Sequence, residues 1–231
     1  MFEGLQDFLF TNLPEEIAKS KYSYETFGKE AENPISKLVL KFLEQMKIVF
    51  TSIPAKDKNA FPDLEITINE TKYAFEFKAG IHNNMISGKT YSSAANDMGT
   101  MSEYKNKIAT YGDNMYCIFI KYSVAKDGRI VIEAAYFDKI YTFIGKGTGF
   151  ANQLQYREKD GNLRPKTWMQ LETGKKFIST FDEFEKALEK TIPYRAKRIV
   201  EKKLDSLNLE DLILIRKEID KRIQALSIEE Q

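Results

Sequence analysis

A chain of 231 residues with 42% apolar content can build one sizeable core with a small appended subdomain, but not two independent domains. Its 35 Lys and Arg nearly cancel its 34 Asp and Glu, which excludes a global basic field, so any nucleic-acid surface must be local. The single cysteine excludes a disulfide framework, and Cys117 lies in the apolar run 115–120, where it reads as a small buried thiol in a reducing compartment. Residues 1–7 carry acids where a secretory leader needs bases, and no apolar run approaches the roughly 18 residues of a membrane span. The expectation is a soluble, cytoplasmic protein with no membrane partner.

After an irregular opening, residues 33–50 place Ile35, Leu38, Val39, Phe42, Leu43 and Met46 at helical spacing, with Asn33 as cap and Pro34 in the first helical position. Asp57-Lys58-Asn59 reads as a loop. Two alternating runs, 64–68 and 73–78, then flank Asn69-Glu70-Thr71-Lys72 and predict a β-hairpin. From 80 to 99 the chain is rich in Asn, Ser, Gly and Thr without periodicity, and a loop of that length is often functional. A helix is predicted over 102–110, with strands over 115–124, 130–136 and near 139–144, so the fold class is α/β with a mixed sheet. Gly145-Lys146-Gly147-Thr148-Gly149 lacks the Walker spacing and reads as a turn rather than a nucleotide site.

Beyond a basic stretch at 157–168 the chain becomes helical, at 181–190 and 194–203, with Pro193 between them. Residues from about 178 to 231 form a helical C-terminal extension of the single domain 1–231. The last helix carries Leu209, Leu212, Arg216, Ile219, Ile223 and Leu226 on one seam at alternating spacings of three and four. That seam either packs on the preceding helices or contacts a second copy, and packing is favoured.

The hairpin carries the chemistry. With Glu70 and Thr71 as the loop, Ile68 meets Tyr73, Ile66 meets Phe75 and Leu64 meets Phe77 on an apolar face. Asp63 then falls opposite Lys78 and Glu65 opposite Glu76, so three carboxylates and one ammonium share the other face. Carboxylates so crowded repel one another unless a cation screens them. Magnesium, which takes one or two carboxylates plus waters and phosphate oxygens, suits Asp63 and Glu76. Lys78, two residues beyond Glu76, shares its face and can position a water or offset charge on a phosphorane-like transition state.

Pro62-Asp63, twelve intervening residues and Glu76-Phe77-Lys78 resemble the signature of PD-(D/E)XK nucleases, particularly type II restriction endonucleases. The resemblance implies a restriction-endonuclease-like mixed sheet flanked by helices. It implies magnesium held by Asp63, Glu76 and the carbonyl of Phe77, with Lys78 orienting or deprotonating the attacking water. Hydrolysis of double-stranded DNA would leave a 5′-phosphate and a 3′-hydroxyl. Gly28-Lys29-Glu30-Ala31-Glu32 resembles the acid-bearing start of a helix in several of these enzymes, which puts Glu32 at the metal, with Glu30 and Glu44 as competitors. Cutting both strands at a palindromic site points to a homodimer, and the family further implies a cognate DNA methyltransferase in the same cell that is not a binding partner.

Duplex recognition needs bases for phosphates and amides or guanidiniums for base edges. Asn83, Asn84, Lys89 and Tyr91 in the stretch after Lys78, and Arg164 and Lys166 in the basic stretch, fit those roles. Trp168 suits a groove or a core equally, and the lone His82 reads as a polar loop residue. The leading expectation is a site-specific, magnesium-dependent endonuclease. A junction resolvase or repair nuclease on the same core, and a non-catalytic DNA-binding or interaction protein, are the alternatives.

Overall fold

A two-residue turn organises the sheet. In the computed structural model, Asn69 and Glu70 both have positive φ, 48° and 65°, the type I′ geometry that matches strand twist. Residues 1–20, 22–56, 60–93, 97–205 and 207–229 are described; the loop expected at 57–59 and the side chains of Ile223 and Leu226 lie outside them. The turn joins β2 (Leu64–Ile68) to β3 (Thr71–Asn84), with Ile68 opposite Thr71, Ile66 opposite Tyr73 and Leu64 opposite Phe75. The expected register is therefore wrong by two residues. A loop of Glu70 and Thr71 would have forced a β-branched residue into the left-handed region, whereas Asn69 tolerates it. An even slip keeps every side chain on its expected face but moves Glu65 away from Glu76, to a place opposite Ala74. Because Glu70 holds a positive φ without being glycine, Glu70→Gly is expected to stabilise the protein by about 0.5–1 kcal/mol. A rise in urea midpoint with unchanged slope would register it.

The sheet runs β1-β2-β3-β5-β6, with β1 (Thr51–Pro54), β5 (Met115–Val124) and β6 (Ile130–Lys139). All neighbours are antiparallel except β3 and β5, whose parallel pairing requires the crossover through α4 (Met101–Tyr111). β4 (Lys89–Thr90) pairs with Asn83 and Asn84 at the far end of β3. Since β2 pairs no further along β3 than Phe75, the stretch of β3 that holds Glu76, Phe77 and Lys78 lies between two partners on that side.

On one face, Leu64, Ile66, Phe75, Phe77, Ile118 and Ile120 pack against α1 (Leu5–Ser20) and α3 (Glu32–Gln45), which follows α2 (Phe27–Glu30). Phe2 closes this core edge-on, its ring centroid 5.2 Å from that of Phe75 and 5.3 Å from that of Tyr116. On the other face, Phe119 stacks on Phe143 and meets the edge of Trp168, which begins α5 (Trp168–Glu172) and is buried. Cys117 is buried on that face, and burial raises its thiol pKa.

Several elements depart from expectation. The opening is helical: Leu5, Leu9, Leu13 and Ile17 form an i, i+4 stripe that stays buried despite Pro14. α3 begins at Glu32 and ends at Gln45, so Asn33 is inside the first turn rather than capping, and 51–54 forms an edge strand. β3 extends through residues expected to be loop. Residues 140–143 form a buried 3₁₀ turn instead of a strand. Helix α6 (Phe181–Leu204) continues through Pro193.

The chain divides into two units, residues 1–188 and 189–231. In the second, α7 (Leu209–Glu229) leaves Leu209 72% and Ile219 51% exposed. Among the described residues, no helix is long and apolar enough to cross a membrane.

Candidate active site

The end of β2 and the middle of β3 bring together the hairpin residues singled out from sequence. Asp63 lies one residue before β2, and its Oδ2 accepts a hydrogen bond of 2.5 Å from the Phe77 N–H. That carboxylate takes the place a β2 backbone carbonyl would have filled had the ladder continued. Lys78 Nζ donates to Glu76 Oε1 at 2.5 Å, while Glu76 Oε2 is buried without a hydrogen-bond partner. A buried carboxylate oxygen without a donor is costly in a folded protein unless a cation or water meets it.

Electrostatics follow from this crowding. Burial, and then the neighbouring Glu76 carboxylate, raise the pKa of Asp63 to about 7, against the opposing pull of Lys78 and the Phe77 N–H. Burial lowers the pKa of Lys78, but the fields of Glu76 and Asp63 outweigh it and hold the ammonium above its ordinary range. Lys78 therefore keeps its proton and acts as a charged hydrogen-bond donor here.

These three residues line a cleft of about 700 Å³ together with Glu32, Phe61, Asp97, Glu103, Lys107, Tyr111 and Asn162. Glu32, in the first turn of α3, thus opens onto the same space as Asp63 and Glu76. Neither Glu30 nor Glu44 is among the lining residues. Glu65 does not join the cluster. It pairs with Lys72 at 3.1 Å and accepts from Tyr111 Oη at 2.6 Å; burial works against its charge, but those two bonds prevail and lower its pKa.

Among the described residues, no three of His, Cys, Asp and Glu are grouped to hold a metal ion. A site of two carboxylates and a partnerless buried oxygen nevertheless fits magnesium, which prefers few protein ligands and retains waters. The donors are all oxygen, which disfavours softer ions.

The candidate DNA contacts separate. Asn83 and Asn84 end β3; the Asn83 N–H donates to Ser123 Oγ, and Asn84 Oδ1 accepts from the N–H groups of Ile86 and Ser87, fixing the turn. Lys89 and Tyr91 are exposed beside them. Arg164 is half-buried and pairs with Asp97 at the cleft, where Arg157 also binds Asp97 at 2.8 Å. Lys166 is only 3% exposed and donates to the Lys175 carbonyl, so it presents no ammonium to a groove; burial, then nearby Lys176, lower its pKa to about 8. Trp168 is a core anchor rather than a groove probe. His82 belongs to β3 rather than a loop, with Nδ1 2.7 Å from Glu133 Oε2.

Asp97, Lys107, Tyr111 and Asn162 were not anticipated as cleft residues. For Lys107 a signal existed: it shares the inward stripe of α4 with Met101 and Tyr104, a position that an apolar residue normally fills.

Comparison with known proteins agrees with this architecture. No curated protein matches the chain. Among solved structures, one described as NlaIV restriction endonuclease aligns with a TM-score of 0.50 at 20% identity over 71% of this chain. The chain spans 64% of that protein's length, and at this identity the likeness shows the fold. The family model described as NgoBV restriction endonuclease matches residues 31–212, a stretch that contains Glu32, both halves of the hairpin and the cleft-lining helix α4. The chain therefore belongs to the NgoBV restriction endonuclease family and has the PD-(D/E)XK type of core.

Proposed function

We propose that the protein is a site-specific type II restriction endonuclease that hydrolyses phosphodiester bonds of double-stranded DNA with magnesium, leaving a 5′-phosphate and a 3′-hydroxyl. The observation that carries this reading is the convergence of Asp63, Glu76 and Lys78 at the gap in the β3 ladder, with one Glu76 oxygen buried and without a partner.

In this reading Asp63 and Glu76 hold the metal. Phe77 contributes its carbonyl, which lies on the same side of the strand as the N–H that meets Asp63, since both groups of an extended residue face one neighbour. Glu32 completes the cleft wall from the helix side. When bound, magnesium supplies charge for the phosphoryl oxygens and lowers the pKa of a coordinated water. Lys78, held protonated by Glu76 and Asp63, orients the attacking water and offsets the charge that grows on the phosphate. Lys89 and Tyr91 are exposed beside the β3–β4 turn and serve as DNA contacts, and the turn-fixing Asn84 with Asn83 shapes the hairpin that presents them. Arg164 contributes by holding Asp97 at the rim. The exposed Leu209 and Ile219 of α7 would join two copies into a homodimer, which suits cutting of two strands at a palindromic site.

Purified protein incubated with long duplex DNA and magnesium tests the reading. Discrete fragments with 5′-phosphate ends, lost on chelation, are expected. A smear of products would replace site-specificity with general nuclease activity, and DNA left intact across many sequences would refute the nuclease reading.

A further inference from the structure

Lys107 is an unusual lysine. Its side chain is 11% exposed, and its ammonium is 4.1 Å from the Phe61 ring centroid and 4.7 Å from that of Tyr104. Among the described residues its ion-pair partner is Glu103 at 3.8 Å, beyond hydrogen-bond length. Tyr104 is itself locked, fully buried and donating to the Met98 carbonyl at 2.6 Å, so the two rings and the helix fix the ammonium in the wall of the cleft. Asp63, Glu76 and Lys78 line the same cleft. A lysine that served only solubility would extend into water, where its entropy and hydration are kept.

We propose that Lys107 is a second phosphate-binding cation of the cleft, contacting a non-bridging oxygen of the phosphate that Lys78 also faces. The proposal rests on the nuclease reading and deepens it. Two ammonium groups on different elements, Lys78 on β3 and Lys107 on α4, would then grip the phosphate from two directions, while Asp63 and Glu76 remain for the metal. Burial lowers the Lys107 pKa, against the opposing fields of Glu76 and Glu103, so the ammonium gains most when a phosphate anion replaces its lost water. The aromatic pair holds the cation without neutralising it, which leaves its charge free for a ligand.

The test uses Lys107→Met, which keeps the stem that packs on Phe61 and Tyr104 but removes the charge, together with Lys107→Arg. Two readouts are taken on full-length protein with duplex DNA: the salt dependence of binding with calcium in place of magnesium, and the single-turnover cleavage rate with magnesium at saturating DNA. Loss of one phosphate contact is expected to reduce the slope of log affinity against log salt by about 0.9. The cleavage rate of Lys107→Met is expected to fall by about 10- to 100-fold, with partial rescue in Lys107→Arg and an unchanged thermal midpoint for Lys107→Met. A Lys107→Met protein with wild-type slope and rate overturns the proposal, as does a loss of activity that tracks a fallen midpoint. Wild-type protein that neither binds nor cuts duplex DNA overturns the nuclease reading itself, and this proposal with it.

Discussion

Asp63→Asn is expected to abolish DNA cleavage and, in the absence of metal, to make the protein more stable at pH 8. The loss of activity should be on the order of 10³-fold or more, since a metal ligand supplies several kcal/mol of transition-state stabilisation. The gain in stability has a separate origin. Folding raises the Asp63 pKa from 3.8 to about 7, so above pH 7 the folded protein carries a buried carboxylate that the unfolded chain holds more comfortably. The folded state binds the extra proton between pH 7 and 4, and the metal-free wild-type protein therefore gains stability as pH falls through that window. Asparagine can still accept from the Phe77 N–H but bears no charge, so the variant's advantage is largest at pH 8 and shrinks towards pH 4. At pH 8 an advantage of about 1–2 kcal/mol corresponds to a thermal midpoint higher by roughly 2–8 °C for a chain of this size. Thermal scans at several pH values in chelator read this directly, and a variant that is less stable than wild type at pH 8 would sink it.

Lys78→Ala should also lose cleavage, by about 10²- to 10³-fold, while still binding DNA. Its effect on stability has the opposite sign. The lysine is the charge partner of Glu76 and one of the groups that keep Asp63 ionised, so its removal leaves buried carboxylates without their cation. Breaking a fully buried pair costs about 3–5 kcal/mol, and because Lys78 and Glu76 retain some exposure the expected loss is about 1–3 kcal/mol. Lys78→Arg should not restore the rate, since a planar guanidinium cannot place its donors where a single ammonium stands. Two variants that are equally inactive but shift the metal-free midpoint in opposite directions would be difficult to explain by general damage to the fold. Single-turnover kinetics paired with thermal scans make the comparison.

Much of this site was legible in the sequence because strands alternate. The spacing of Leu64, Ile66 and Ile68 against Phe75 and Phe77 assigned a core face, and the residues between them had to share the other. Parity survives a slip of two, which is why Asp63, Glu76 and Lys78 came together although the register was wrong. What parity could not resolve was distance along the strand, and Glu65 was therefore placed beside Glu76 when Tyr111 and Lys72 hold it elsewhere. The positive-φ requirement of a type I′ turn would have chosen Asn69-Glu70 over Glu70-Thr71.

The rest was hidden by non-local packing. Lys166 and Trp168 sit in a polar, basic stretch, yet both are buried because residues 140–178 wrap the second face of the sheet. Asp97 reaches the cleft only because Arg157 and Arg164, some sixty residues on, converge on it. The opening helix was obscured by Pro14, although its stripe of Leu5, Leu9, Leu13 and Ile17 has regular i, i+4 spacing.

The central claim is that Asp63 and Glu76 together hold the divalent ion on which cleavage depends. Its most direct test is calorimetric titration of Mn²⁺, a stand-in for magnesium, into the wild-type protein and Glu76→Gln at pH 8. Saturable binding to the wild type, weakened at least about tenfold in Glu76→Gln, is the predicted result. Equal Mn²⁺ affinity in the two proteins would contradict the account.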